Sequence, residues 1–279
     1  MKVVKGLQAE WGACSCTVSL SHIPGSLVHW KDTIAVGSES GDIIILDVVT
    51  GIYTSVLSGH TGEVECLAFS SDGTFLVSGG MDATIKLWDI QTGGVVKTYA
   101  HTSQTCTVSK SGNNPSVSYT NIISSVSISQ DHSVIAVGSY NNIYLWDTWP
   151  GVCYYVIGGL SDTHFVTFSP INPQLLVSTS GSGIQHWDLG GQQIGPTYPG
   201  HYIAFSSDGT HFVSWGESVS RVQSSESGAV VAELDKIYRS CCFSPNGKLL
   251  ACATYNKIDI WDITIIPWSH QHYHWYARG

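Results

Sequence analysis

GHTGEVECLAFSSDGTFLVSGGMDATIKLWDIQTGG, Gly59 to Gly94, decides the fold class. It opens on alternating residues (VECLAF), meets the turn SSDG, and returns as the apolar run FLVSGG. A second tight turn, MDAT, leads into IKLWDI. Short alternating runs separated by Asp/Gly turns are hairpin grammar, so the stretch predicts three consecutive antiparallel strands. A fourth strand is expected from VVKTYAH, Val95 to His101.

Working outward, the same grammar recurs along the chain, and internal repetition outweighs every other signal in a sequence. The closing strand reads IIILDV at Ile43, IYLWDT at Ile143, IQHWDL at Ile184 and IDIWDI at Ile258, with a degenerate copy in VSRVQSSESG. The opening hairpin reads VSISQDHSVIAVGS from Val126, VTFSPINPQLLVSTS from Val166, IAFSSDGTHFVSWG from Ile203 and CCFSPNGKLLACAT from Cys241. From Phe69 to Trp88 is 19 residues, from Phe168 to Trp187 again 19, and from Phe243 to Trp261 18. A constant spacing means one structural unit used repeatedly. Six units follow, marked by Leu46, Trp88, Trp146, Trp187, Gln223 and Trp261 at one position. Four-stranded sheets repeating every ~40 residues pack radially around a central channel, because one such sheet cannot bury both faces alone. No long helical periodicity appears, so almost no helix is expected.

Composition narrows the function. Of 279 residues only 12% are charged, and 12 Lys and Arg face 21 Asp and Glu, a net charge of −9. A duplex-binding surface must be basic to displace counterions, and an anionic membrane surface selects against the same deficit. Neither nucleic acid nor membrane is expected as a partner. The N-terminus, MKVVKGLQAEWGACSC, has no apolar core behind its lysines and does not read as a signal peptide. Eight cysteines show no C-x-x-C spacing, and no N-x-[ST] sequon occurs. These features predict a reducing, cytoplasmic setting.

The GH…WD pattern resembles the WD-repeat β-propeller family, over roughly Cys16 to Ile263. The wording of the units, including IPGSLVHWKDTIAVGSESGDIIILD, is also similar to the C-terminal sensor propellers of fungal NACHT-type STAND ATPases. Those are receptor-like proteins whose propeller is thought to sense ligand. The ATPase itself has no counterpart, since no G-x-x-x-x-G-K-[ST] occurs. The expected organisation is a lead-in over 1–15, the propeller over 16–263 and a tail over 264–279. The resemblance implies an all-β propeller of six recognisable four-stranded blades.

His60, Ser78, Asp82 and Trp88 contain the residue types of a nucleophilic triad. The family resemblance implies instead a structural tetrad in which the Trp N–H bonds Ser, Ser bonds His and His bonds Asp. Spacing agrees with the second reading. Asp82 falls in the tight turn after the strand carrying Ser78, Trp88 lies on the returning strand, and no G-x-S-x-G elbow exposes a serine. In the other units Val36, Val137, Ser178, Ser214 and Cys252 replace Ser78 without an evident Asp, so those units are expected to rely on apolar packing.

Other constellations read as structure. His270, His272 and His274 alternate in the tail and could share one strand face, but no fourth ligand is evident, and no metal is expected. The string SGSGI, Ser180 to Ile184, reads as a hairpin turn rather than a phosphate loop. The innermost strands (SLVHW, VECLAFS, ISSVSIS, FVTFS, YIAFS, SCCFS) offer little acid–base equipment. A propeller enzyme, a hydrolase or lyase working in the channel, is therefore the weaker reading. No catalysis and no cofactor are expected.

The favoured function is an interaction scaffold or ligand-sensing propeller with a protein or peptide partner. In the family, the loops joining the fourth strand to the next first strand, and the second strand to the third, share one face. That face should display Glu63, the insertion Thr102 to Thr120, Tyr140, Asp162, His164, Tyr202, Tyr238 and Arg239. Ring closure is expected through pairing of Cys16 to Leu20 with Lys257 to Asp262, since a bare strand edge invites aggregation.

Overall fold

The computed structural model describes residues 24–47, 50, 52–101, 123–158, 160, 163–206, 208–216, 219–234, 236–238, 240–244, 247–254 and 258–263. The expected closure segment Cys16 to Leu20, the insertion 102–120, the tail histidines and the domain boundary at 15/16 lie outside these residues.

Six antiparallel sheets follow one another along the chain. The first holds β1 (Pro24–Trp30), β2 (Thr33–Ser38), β3 (Asp42–Asp47) and β4 (Tyr53–Ser58); the second holds β5 (Val64–Phe69), β6 (Phe75–Gly80), β7 (Thr84–Asp89) and β8 (Val95–Ala100). The third holds β9 (Ser125–Ile128), β10 (Val134–Ser139), β11 (Asn142–Asp147) and β12 (Cys153–Gly158). The fourth holds β13 (Phe165–Phe168), β14 (Leu176–Ser180), β15 (Gly183–Trp187) and β16 (Gln193–Tyr198). The fifth holds β17 (Tyr202–Phe205), β18 (His211–Trp215), β19 (Arg221–Ser224) and β20 (Val230–Glu233); the sixth shows β21 (Ser240–Phe243), β22 (Leu249–Ala253) and β23 (Ile258–Asp262). Within each sheet the strands pair in chain order. The register aligns the six units as their repeats do, with Leu46, Trp88, Trp146, Trp187, Gln223 and Trp261 opposite Ile34, Leu76, Ile135, Leu176, Phe212 and Leu250.

Turn chemistry explains the repeated polar letters. In every unit but the fifth, where Ser224 takes the place, an Asp follows the Trp position at the end of the third strand, and its carboxylate can cap the next turn: Asp47 accepts from the Thr50 amide at 2.7 Å, Asp89 from Thr92 at 2.8 Å and Asp188 from Gln192 at 2.8 Å. The turn joining first and second strands is tied similarly. Asp72 Oδ1 accepts from the Ser70 hydroxyl and the Thr74 amide, Asp131 from Ser129 and Ser133, and Asp208 from Ser206 and Thr210. These side chains mimic a backbone turn, which is why Asp and Ser recur there. In SGSGI, Gly183 has φ 117, and a Cβ there would stand 2.4 Å from the Tyr198 carbonyl oxygen.

The core is a series of seams between sheets. Ala35, Ile43, Ile45 and Leu57 of the first sheet meet Val64, Leu76 and Trp88 of the second, while Val77, Ile85 and Leu87 of the second meet Ile135, Val137 and Trp146 of the third. The Trp position thus faces the preceding sheet, and the residue before it faces the next. Ile45, Leu87, Leu145, His186 and Val222 hold that forward position at 2% exposure or less, whereas Ile260 of the sixth sheet is 41% exposed. Among the described residues, one face of the sixth sheet is therefore less well covered than its five counterparts.

Candidate functional site: a buried polar chain and an aromatic face

Two places attract function. The first is the His60 cluster. Trp88 Nε1 donates to Ser78 Oγ at 2.8 Å, and Ser78 Oγ lies 2.7 Å from His60 Nε2. His60 Nδ1 lies 3.0 Å from both carboxylate oxygens of Asp82. Asp82 also accepts from the Thr61 amide at 2.9 Å and from the Thr84 hydroxyl at 2.7 Å.

A serine on one imidazole nitrogen and a carboxylate on the other is the pairing a nucleophilic triad uses. Here it has no room for substrate. Ser78 is 0% exposed, and its oxygen already accepts the Trp88 N–H, leaving its own proton for His60. Burial lowers the His60 pKa, against the raising effect of Asp82, so the ring stays neutral near pH 7. Burial alone would raise Asp82, but the Thr61 amide, Thr84 hydroxyl and His60 outweigh it and hold its carboxyl below the usual range. The backbone is cut to fit as well, since a Cβ on Gly80 would approach His60 Nδ1 to 2.6 Å. The arrangement fastens the first-to-second-sheet loop to the second sheet.

The fourth and fifth units are not purely apolar at this position, contrary to the sequence expectation, whereas Val36 with Leu46 in the first and Val137 with Trp146 in the third pack as apolar residues. Trp187 Nε1 donates to Ser178 Oγ at 2.8 Å, and Ser214 Oγ donates to Gln223 Oε1 at 3.1 Å. In the sixth sheet Tyr238 Oη donates to Asp259 Oδ2 at 2.8 Å, with Lys236 Nζ 2.7 Å from the same oxygen. The first two pairs repeat the Ser78–Trp88 placement with one residue fewer between the partners, whereas Tyr238 and Asp259 stand 21 residues apart, a separation the repeat does not announce. Tyr238→Phe, which leaves Asp259 only Lys236 of the two, should destabilise by about 1 kcal/mol, read as a lower denaturant midpoint.

The second place is the end of the molecule carrying the loops around His60. Tyr140, 46% exposed, sits in the β10–β11 turn with φ 44, a conformation a bulky residue adopts only when the surrounding turn imposes it. Tyr202, 57% exposed, opens β17 and stacks on Trp215 at 5.8 Å and 24°. His164 is exposed beside His201, their rings 6.2 Å apart, and Glu63 is half-buried. Tyr238 departs from expectation: it is 1% exposed, packed with Leu234, Cys241 and Cys252. Its hydroxyl turns inward to Asp259, so the ring fills a seam instead of meeting solvent. Asp162 and Arg239 lie outside the described residues.

The same end displays apolar residues that the sequence did not single out. Met81 (β6–β7 turn), Phe165 (start of β13), Val219 (before β19) and Ile237 (before β21) are all markedly exposed. Met81 and Ile237, like Tyr140, are apolar side chains placed in tight turns or loops where polar residues are usual. That mismatch was the available signal. Among the described residues, no group of three or more His, Cys, Asp or Glu could hold a metal, and no helix is long and apolar enough to cross a membrane.

The family described as "WD domain, G-beta repeat" matches residues 51–89, 95–147 and 216–262. The "Small ribosomal subunit protein RACK1y" of Oryza sativa subsp. japonica is 30% identical over 76% of this chain and 64% of its own length. The "NACHT domain- and WD repeat-containing protein 1" of Mus musculus is 30% identical over 31% of this chain and 6% of its own. A chain of the "Crystal Structure of Mitotic Checkpoint Complex" superposes with a TM-score of 0.65 at 17% identity, over 88% of this chain and 76% of that one. The chain thus spans less than two thirds of the length of either curated relative. Six sheets in repeat register, capped by the Asp turns that close the third strands, agree with these matches, and the chain belongs to the WD-repeat β-propeller family.

Proposed function

We propose that the protein is a non-catalytic interaction platform that engages a protein or peptide partner through the end bearing Tyr140, Phe165 and Tyr202. The observation that carries the reading is the run of exposed apolar side chains on this one end: Met81, Tyr140, Phe165, Tyr202 and Ile237, drawn from successive units. Rigid aromatic residues held out of turns lose little side-chain freedom on binding and tend to dominate interface energetics. The opposite end also exposes Ile52, Trp149, Val152 and Ile171, interleaved there with carboxylates such as Asp72, Asp89, Asp131 and Asp208 that are occupied in turns.

The net charge of −9 supports a protein partner over nucleic acid. The superposed solved chain is part of a mitotic checkpoint complex, and this chain is proposed to act likewise, as a member of an assembly. The likeness to fungal NACHT-type sensor propellers, and the mouse NACHT relative, support a ligand-sensing form of the same role. A cytoplasmic location belongs to the proposal.

The test is affinity capture from the native cell with wild-type protein, Tyr140→Ala, Phe165→Ala, Tyr202→Ala and, as a control on the opposite end, Trp149→Ala. Partners held by wild type and Trp149→Ala should be lost or weakened by about tenfold in at least one of the three, a hot-spot loss of ~1.4 kcal/mol. Equal retention by all four variants would assign binding elsewhere.

A further inference from the structure

The sixth sheet contains three described cysteines whose arrangement is unlike the rest. Cys241 on β21 and Cys252 on β22 are direct cross-strand partners. The Ser244 amide donates to the Leu249 carbonyl at 2.8 Å, which makes 244/249 a hydrogen-bonded position. Antiparallel positions alternate, so 243/250 is a non-hydrogen-bonded pair, 242/251 a hydrogen-bonded one and 241/252 again non-hydrogen-bonded. At such pairs the Cα atoms lie about 4.5 Å apart, within the range a disulfide bridges. The two side chains point into the same seam, 5% and 0% exposed, among Val213, Val222 and Leu250. Cys242, next in the chain, points to the opposite face and is exposed.

We propose that Cys241 and Cys252 form an oxidisable pair that closes reversibly into an intramolecular disulfide, with a low-molecular-weight disulfide such as oxidised glutathione as the oxidant. One thiol gives up its proton, and its sulfur attacks the small disulfide, forming a mixed disulfide and expelling one thiolate. The second protein thiol, deprotonated in turn, attacks the protein sulfur of that intermediate and expels the second thiolate. The two protons end on the two released small thiols. The protein loses two electrons and the oxidant gains them.

The resting pair is protected. The neighbouring Cys241 thiol, then burial, pushes the Cys252 thiol far above its ordinary pKa, so its thiolate is scarce. Oxidant must reach it through opening of the sixth sheet. That sheet is covered firmly on one face only, with Ile260 41% exposed on the other, which favours local opening. The bridge would lie directly beneath Asp259, the cross-strand neighbour of Cys252, and hence beneath the Tyr238 and Lys236 contacts that hold the loop displaying Ile237.

The test uses the reduced full chain equilibrated with graded mixtures of reduced and oxidised glutathione, then alkylated, digested with trypsin and mapped by mass spectrometry. Cleavage after Lys248 puts the two cysteines on separate peptides. The expected result is a linked 241–252 peptide pair that replaces both alkylated peptides. It should form faster at higher pH or in sub-denaturing urea, be reversed by dithiothreitol, persist in Cys242→Ser and vanish in Cys252→Ser. Two outcomes overturn the proposal: Cys241 and Cys252 remaining alkylatable at the most oxidising ratio while Cys242 becomes glutathionylated, or Cys242 replacing Cys241 in the linked pair.

Discussion

Trp88→Ala should destabilise the protein by about 3–5 kcal/mol, the range for emptying a buried tryptophan site. Trp88 is fully buried and joins two sheets: its ring packs with Ala35, Ile43, Ile45 and Leu57 of the first sheet, and with Val64 and Leu76 of its own. Truncation would open a cavity in a seam, and the strands on either side are tied by too many ladder bonds to collapse into it. The same change would take the Trp88 N–H from Ser78 Oγ and leave that oxygen only its bond to His60. A graded comparison separates packing from hydrogen bonding. Trp88→Phe keeps most of the apolar volume but deletes the donor, adding about 1 kcal/mol to its packing cost. At Trp146, whose Nε1 has no hydrogen-bond partner, the Phe substitution carries no such addition. Asp82→Ala, which removes the acceptor for His60 and the Thr61 amide, should cost ~1–3 kcal/mol. Urea or guanidinium melts of the variants measure all of this. Equal losses for Trp88→Phe and Trp146→Phe, with an unchanged midpoint for Asp82→Ala, would show that the buried chain contributes nothing beyond packing.

What could be read in the sequence follows from which interactions are local. The Trp88, Ser78 and Asp82 positions were legible because a hairpin fixes their register: ten residues separate Ser78 from Trp88, and the strand pairing does the rest. The six Trp positions were legible for the same reason, down to the substituted Leu46 and Gln223. Tyr238 was not. Its position before the sixth sheet suggested a displayed loop aromatic, but its orientation depends on Asp259, 21 residues away on β23. A polar group available within reach turned the ring inward, and nothing local encodes that. Trp187 with Ser178 and Gln223 with Ser214 escape a search for complete tetrads, because a buried polar atom needs only one partner to be satisfied. Exposed Met81 and Ile237 show the converse. Apolar residues in turns break the usual turn chemistry, and such a local violation is where a binding surface tends to show itself.

Acidification should expose a different weakness, at His186. This residue stands one place before Trp187, where Leu87 and Leu145 stand in earlier sheets, and is 1% exposed. Its ring packs against Phe212 at 5.6 Å and Tyr198 at 5.8 Å, and a Cβ on Gly228 would meet it at 3.0 Å. Its Nε2 has no hydrogen-bond partner. With nothing to stabilise the cation, burial lowers its pKa from 6.5 to about 4. The folded state thus resists protonation that the unfolded chain accepts readily. Above pH 6.5 both states are neutral and the site carries no pH penalty. As pH falls from 6.5 towards 4 the unfolded state gains the proton first, and folding stability declines by about 3 kcal/mol, levelling off below pH 4. The turn carboxylates of Asp72, Asp131 and Asp208, held below their ordinary range, act only at lower pH, where their protonation removes the turn hydrogen bonds. The two windows are therefore separable. His186→Leu, which places the residue type of the equivalent positions in the seam, should make the decline between pH 6.5 and 4 shallower by about 3 kcal/mol, leaving the part due to His60, whose pKa burial also lowers, and the more acidic decline in place. Denaturant melts at half-unit pH intervals provide the measurement. A His186→Leu profile parallel to wild type across that window would mean the charge is accommodated in the folded seam, and the burial argument for this histidine would fail.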